Sequence, residues 1–448
     1  MNLNLLLKEN PKKLIKAFII PTIIAQVIFA FSRTAEKVFL GSHLGEEALA
    51  AVTVTFPLFT IIIAFSMWIR VGAGVNISLS LGRKDKNYAE KILGNAVSLL
   101  TILSIIIIII SLIFLDEILL NIGANEALLP LSSSYMKITL IGLLINFYAF
   151  GIGYIIRSEG NPLKGMWMLV AGAIVNVFLS YIFIIKLEWG MQGASLAPVI
   201  GNLVSVSLIV YHLFMSNNRN ISLKLKNLRL DKTIVIEITS IGLSAFIIMV
   251  STSIIGMFAN VLLMESGGTL YVGVMGSLVF TSMFIQIIIT GLCYGFQPLF
   301  GYGYGNKDYN RLKTYLKRAL FIASLFSLII FLFLFSFSEK IAGLYSKENS
   351  NFIATTVVLM QIFFITLPLL GFNIMGSYFF QSIGDVKKAV FLNLTSKLLV
   401  LLGFYILPIF FKIKGVFLAF PLAEFVLFII LVFLLKKENR IHLKAQLQ

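Results

Sequence analysis

Twelve separate stretches of this 448-residue chain are apolar for about the length a helix needs to cross a bilayer, roughly 20 residues for a hydrocarbon core of about 30 Å. They run approximately over 15–38, 48–72, 92–115, 130–156, 165–185, 191–215, 235–263, 270–298, 314–338, 351–380, 389–411 and 415–435. Charged residues make up 12% of the chain and hydrophobic residues 58%. A soluble domain carries about 25% charge, and no single soluble core absorbs so much apolar surface. The expected fold class is an all-α membrane protein with twelve transmembrane helices. The β-branched run Ile105 to Ile110 does not overturn this. Its flanks extend it to helix-spanning length, and barrel strands are far shorter. Leu5 to Leu7 is too short for a signal-peptide core, so the first helix is expected to be retained.

Charge then sets the expected orientation. The chain has 36 Lys plus Arg against 20 Asp plus Glu, a net charge of +16. The N-terminus, the loops after helices 2, 4, 6, 8 and 10 and the C-terminal tail hold 26 of the basic residues, and the alternate loops hold 6, Lys347 among them. Lys and Arg accumulate on cytoplasmic loops, which places both termini in the cytoplasm. The same split accounts for the excess positive charge without nucleic acid. One cysteine, Cys293, excludes an intrachain disulfide, and His43, His212 and His442 are too dispersed for a metal-ligand pattern. No cofactor is expected.

The two halves repeat. Gly45, Gly82, Lys84, Asp85 and Asn87 recur 223 residues later as Gly268, Gly305, Lys307, Asp308 and Asn310. Ser158, Gly160 and Lys164 recur as Ser382, Gly384 and Lys388, and Gly193, Leu196 and Ala197 as Gly415, Leu418 and Ala419. The expected organisation is an N-terminal six-helix bundle over 1–215, a basic cytoplasmic linker over 216–232 and a C-terminal six-helix bundle over 233–448. Six helices per half give both halves the same membrane orientation. Parallel repeats of this kind are typical of transporters, which bind substrate where repeats meet.

Four motifs carry a family resemblance over nearly the whole chain. They are Pro21 with Glu36 and Gly41 in helix 1; Gly295-Phe296-Gln297-Pro298 with Gly301, Tyr304 and Gly305 in helix 8; Arg157 to Pro162 after helix 4; and Asn176 to Leu179 in helix 5. Together they resemble the multidrug and toxic compound extrusion (MATE) family. The resemblance implies two six-helix bundles and export of small organic compounds driven by entry of H⁺ or Na⁺. It places a protonatable acid at Glu36 and associates Asn176 and Ser180 with ion coupling, although the family carries Asp at both Glu36 and Ser180. A threonine expected in helix 6 is Pro198, and helices 7 and 10 lack the deep acids of the sodium-linked branch. Pro21, Gly160 and Gly384 are the conformational candidates, the two glycines lying in matched loops. The Gly-rich stretch Gly301 to Gly305 lacks the Lys-Ser/Thr of a phosphate-binding loop, and no Walker motif occurs elsewhere.

Charges within the spans are the sharpest local signal, because each costs about 2.5–3.5 kcal/mol at a helix centre on insertion scales. Lys137 and Arg70 lie near span ends, where long stems snorkel. Arg33 and Glu36 are three residues apart and share a helix face. Lys397 and Glu424 each lie near the middle of a span. Helices 11 and 12 are consecutive and antiparallel, so helical rise brings this pair to similar depth and predicts an ion pair. Arg33, Lys397 and Glu424 are therefore the cavity candidates.

The expected function is a proton-driven, or alternatively sodium-driven, secondary exporter of organic compounds. Its expected location is the inner (plasma) membrane, in contact with lipid, as a monomer. The main rival is a flippase for lipid-linked saccharides, in which Arg33, Arg70 and Lys397 would receive pyrophosphate. A membrane-embedded enzyme would need paired acids, a His-rich set or a nucleophile–base pair at one depth, and the sequence shows none.

Overall fold

The computed structural model describes residues 9–126, 128–216, 219–345 and 350–446. Leu5 to Leu7, the loop cations Lys8 and Lys347, and residues 217 and 218 of the linker lie outside the described residues. Every described element is a helix. In chain order these are α1 (Pro11–Gly45), α2 (Glu47–Gly82), α3 (Lys86–Ile113), α4 (Leu115–Asn121), α5 (Leu129–Ile141), α6 (Leu143–Ser158), α7 (Pro162–Ser180) and α8 (Gly190–Met215). The second half follows with α9 (Lys232–Ser266), α10 (Leu270–Gly305), α11 (Tyr309–Ser336), α12 (Ser338–Tyr345), α13 (Ser350–Phe363), α14 (Leu367–Ser382), α15 (Val386–Phe411) and α16 (Ile413–Gln446).

Ten of these helices are long and apolar enough to cross a membrane, α7 together with the π-helical turn Tyr181–Lys186. Two more spans arise if α5–α6 and α13–α14 each count as one broken crossing, bent by 54° and 49°. The twelve apolar stretches thus appear, with the fourth of each half broken rather than straight. At the first break a Cβ on Gly142 would run into the Val199 side chain. At the second, Pro368 sits in the first turn of α14 and supplies no N–H to continue the preceding helix.

The first two helices also outrun the expected spans. α1 has 35 residues and α2 has 36, about 50 Å each at the helical rise. One glycine turns the chain between them: Gly45 has φ 82°, and its repeat mate Gly268 has φ 72°. Only glycine adopts that backbone without strain. Further along, Lys84 and Lys307 both have positive φ. The next residue of each copy caps a helix: Asp85 accepts from Tyr88 N at 2.9 Å, and Asp308 from Arg311 N at 3.0 Å.

By contacts the chain separates into two compact units, Met1–Phe246 with Gly301–Asn306, and Ile247–Phe300 with Lys307–Gln448. In the first, α7 packs along α8 most extensively. Gly172 and Gly201 make this possible, since a Cβ on either would strike the facing backbone. Helices in lipid gain from such close approach because hydrocarbon supplies no hydrophobic drive. In the second unit α15 and α16 pack in the same way, with Gly403 against Ala419.

The linker is bound to the first unit. Asp231 N donates to Asn95 Oδ1 at 2.8 Å, Ser98 Oγ donates to Leu228 O at 2.6 Å, and Lys224 pairs with Glu90 at 2.5 Å.

Candidate functional site

The first unit carries a buried acid. Glu36 on α1 is 4% exposed. Its Oε1 accepts from the Tyr135 hydroxyl of α5 at 3.0 Å, and its Oε2 accepts from Arg33 Nη1 at 3.4 Å. The Arg33 guanidinium lies over the rings of Phe29 and Phe59, 5.4 and 5.5 Å from their centroids. An Arg over aromatic faces keeps favourable electrostatics while half withdrawn from water. Arg33 and Tyr135 line a small cleft together with Phe59, Asn146, Ser195 and Asn202, and Glu36 is not among the lining residues.

One helical turn earlier on α1, Ser32 reaches α7. Asn176 Nδ2 donates to Ser32 Oγ at 3.0 Å, Ser180 Oγ donates to Asn176 Oδ1 at 3.3 Å, and Ser32 Oγ donates to Ala173 O at 3.3 Å. Ser32 and Glu36 are four residues apart, hence stacked on one face of α1. The two sets of polar groups are therefore neighbours, and Glu36, Arg33, Asn176 and Ser180 belong to one region.

The second unit holds its own acid. Glu424 on α16 is half-buried. Its Oε2 and its backbone carbonyl both accept from Asn373 Nδ2, at 2.7 and 2.8 Å. Lys397 stands on α15, the helix packed along the α16 that carries Glu424. The two do not come within the 4.0 Å of an ion pair. The expected direct contact is therefore corrected: α14 delivers Asn373 to the carboxylate, and the lysine stands off. Lys397 has no hydrogen-bond partner among the described residues.

The conformational candidates fall in different settings. Pro21 is buried inside α1, which continues through it. Gly160 and Gly384 adopt φ 100° and 79° and end α6 and α14 in the same manner. Around Gly160 the loop is tied by buried polar groups that sequence reasoning missed. Glu159 and His212, 0% and 1% exposed, meet at 2.5 Å. Asn220 Nδ2 donates to Glu159 O at 2.7 Å, and Ile221 N donates to Glu159 Oε2 at 3.3 Å. Around Gly384 the equivalents are more open: Lys388 bridges Asp385 at 2.7 Å and Glu438 at 2.5 Å.

The sequence model of the family described as MatE matches residues 21–182 and 244–406, one match in each half and most of the chain in total. The chain belongs to the MatE family. Among its curated relatives is the "Multidrug export protein MepA" of Staphylococcus aureus (strain bovine RF122 / ET3-1), 24% identical over 410 residues, which are 91% of this chain and 89% of the relative. Among solved structures, an outward-facing multidrug resistance MATE family transporter of the MOP superfamily aligns with a TM-score of 0.93 and 26% identity, covering 99% of both chains. A MOP superfamily transporter from Pyrococcus furiosus Vc1 (DSM3638), whose binding pocket is described as reversed in polarity, aligns with a TM-score of 0.92 and 26% identity, again over 99% of both. This MatE protein is thus a multi-span membrane transporter of twelve-helix, two-repeat architecture.

Two residues of the MatE protein's polar sites carried no sequence signal. Tyr135 lies in an apolar stretch where tyrosine reads as packing, and Asn373 reads as one polar interruption of a span. Glu159 and His212 were within reach: a loop acid before Gly160, and a histidine at the end of the sixth span, which both lie at one membrane face.

Proposed function

We propose that the protein is a secondary active exporter of small organic compounds in the plasma membrane, driven by proton entry, with Glu36 as the residue that carries the proton. The observation that carries this reading is the Glu36 carboxylate, buried in a membrane span and hydrogen-bonded to Tyr135 and Arg33. Tyr135 can keep its hydrogen bond by rotating its hydroxyl, because a phenol both donates and accepts. Arg33 is released, and the charge it presents to the cleft rises when Glu36 is protonated. Asn176, Ser180 and Ser32 tie α7 to α1 beside this switch, so protonation is felt by two helices.

Both termini are cytoplasmic in this reading, and the two repeat halves, 1–215 and 233–448, act as the bundles that alternate access, with Gly160 and Gly384 at their matched loops. The multidrug-export names of the relatives support organic compounds as cargo. A flippase of lipid-linked saccharides remains the rival, since Arg33 lines the cleft. The test is purified protein in liposomes with H⁺ and Na⁺ gradients imposed separately, run beside a lipid-flipping assay. Export of a fluorescent organic cation under the H⁺ gradient alone supports the reading. Dependence on Na⁺, or flipping without export, overturns it.

A further inference from the structure

Arg70 lies inside α2 with no acid beside it. The helix runs on for twelve residues, Val71 to Gly82, and all of them are buried. That is about 18 Å of helix at the usual rise, further than an arginine side chain reaches. The snorkelling expected from a place near a span end is therefore not available along α2. Among the described residues no carboxylate comes within the 4.0 Å of an ion pair with Arg70. Its Nη2 donates to the thioether of Met67, a weak acceptor, and its Nε is buried with no partner. One turn earlier, Ser66 is 3% exposed, and its Oγ also lacks a partner. Serines inside spans commonly turn back onto their own helix, as Ser78 and Ser80 of α2 do by donating to Gly74 O and Asn76 O at 2.9 and 2.7 Å. Ser66 does not.

Helical spacing turns both groups toward the interior of the first unit. Phe59, Ser66 and Arg70 are spaced i, i+7 and i+11 and share one face of α2. Phe59 lines the cleft beside Arg33, and the same face carries Ser66 and Arg70 further inward. Gly74, one turn beyond Arg70, lies against the Tyr154 ring of α6, so protein covers the face at that level. Arg70 itself is half-buried, and an ion can reach it. The repeat shows that the fold requires neither polar group. The residues 223 positions later are Ile289 and Cys293 of α10, both 0% exposed or nearly so. An apolar pair fills the matched place, so packing alone does not call for an arginine there. An unpaired charge inside a span and a buried donor without an acceptor both cost free energy. An anion that accepts from both groups removes both costs. One guanidinium balances one negative charge, whereas a dianion such as phosphate would leave excess charge in a low-dielectric interior. A spherical halide accepts from two neighbouring donors and needs no donor of its own.

We propose that Ser66 and Arg70 form a binding site for a small monovalent anion, a halide such as chloride, inside the first unit, with Arg70 Nε and Ser66 Oγ as its donors. The site goes beyond the export reading and does not depend on the coupling ion or the cargo, because binding is measured at equilibrium without a gradient. A protein that binds the anion and exports nothing would refute the export reading and leave this site standing.

The experiment follows the melting temperature of the purified full-length protein as sodium chloride replaces sodium gluconate at constant ionic strength. Wild type should melt a few degrees higher in chloride, and the rise should saturate, as binding to the folded state requires. Bromide should act in the same way. Ser66→Ala should move the midpoint of the rise to about tenfold higher chloride, the loss of one hydrogen bond to a charge. Arg70→Gln should abolish the rise, and Arg70→Lys should keep part of it. If Arg70→Gln does not fold, the midpoint in Ser66→Ala decides alone, and an unshifted midpoint overturns the proposal. So does a wild-type melting temperature that ignores chloride, or a rise that survives in Arg70→Gln. Phosphate or diphosphate acting at lower concentration than chloride also overturns it, since the site would then be one for a phosphorylated headgroup.

Discussion

The two repeat halves share backbone devices and differ in their polar chemistry. Gly45 and Gly268, Lys84 and Lys307, and Gly160 and Gly384 each take positive φ at matched positions. Asp85 and Asp308 cap matched helices. Yet the acid of the first unit, Glu36, is closed in by Arg33 and Tyr135, while that of the second, Glu424, is tied to Asn373 and left open toward Lys397. The loops differ too: Glu159 and His212 are fully buried beside Gly160, whereas Lys388 lies in a partly exposed bridge beside Gly384. The repeat therefore fixes where the chain turns, and the side chains grafted on it decide what each half does.

Substitutions that attack one half and spare the other sharpen this contrast. The largest effect on stability is expected at the buried loop pair. Glu159→Ala strands His212 and removes the acceptor of Ile221 N, so the loss should reach about 3–5 kcal/mol, as for other broken buried pairs. The comparable change in the second unit, Glu438→Ala, should cost less, because Lys388 is partly exposed and keeps Asp385 as a partner. Thermal melting of both variants checks the ranking, and equal losses would erase the distinction between the loops.

Next in size is Asn373→Leu. It removes the donor that holds Glu424, a charge-assisted hydrogen bond worth about 1.5–3 kcal/mol. Here the open site makes a further prediction: Lys397 should take over the carboxylate, so the double variant Asn373→Leu, Lys397→Met should be less stable than the sum of the single losses. Additive losses would mean that the lysine never reaches Glu424.

These two sites show what a sequence yields and what it withholds. The i, i+3 spacing of Arg33 and Glu36 is short-range, so their contact was legible on one helix. The same arithmetic over α15 and α16 placed Lys397 and Glu424 at similar depth but missed Asn373, because nothing in a run of apolar residues says that α14 lies beside α16. The twelve crossings were legible from hydrophobic length alone. The breaks in the fourth and tenth were not, since the apolar run continues through Gly142 and Thr366. Tyr135 was hidden for a related reason: a tyrosine among leucines and isoleucines is usually packing, and only the fold sets its hydroxyl on Glu36.

Smaller effects are expected at the matched glycines. A Cβ at φ 100° or 79° is strained by about 1–2 kcal/mol, so Gly160→Val and Gly384→Val should each slow turnover several-fold at equal expression. Gly160→Val should be the slower, because its loop is also pinned by Glu159 and His212. Transport assays normalised to protein level check this, and unchanged turnover in both would reduce the loops to plain connectors. The smallest expected effect is that of Tyr135→Phe, which removes one of two donors to Glu36 and leaves the acid in place; export should fall a few-fold without being lost.

The contrast rests finally on Glu36. Glu36→Gln keeps the size of the side chain and the Tyr135 hydrogen bond while removing the exchangeable proton. The decisive measurement is uptake or release of a fluorescent organic cation by proteoliposomes under an imposed H⁺ gradient, comparing this variant with wild type at matched incorporation and melting temperature. The account predicts that wild type responds to the H⁺ gradient alone and that Glu36→Gln, still folded, shows no gradient-driven export. A Glu36→Gln protein exporting at the wild-type rate would contradict it.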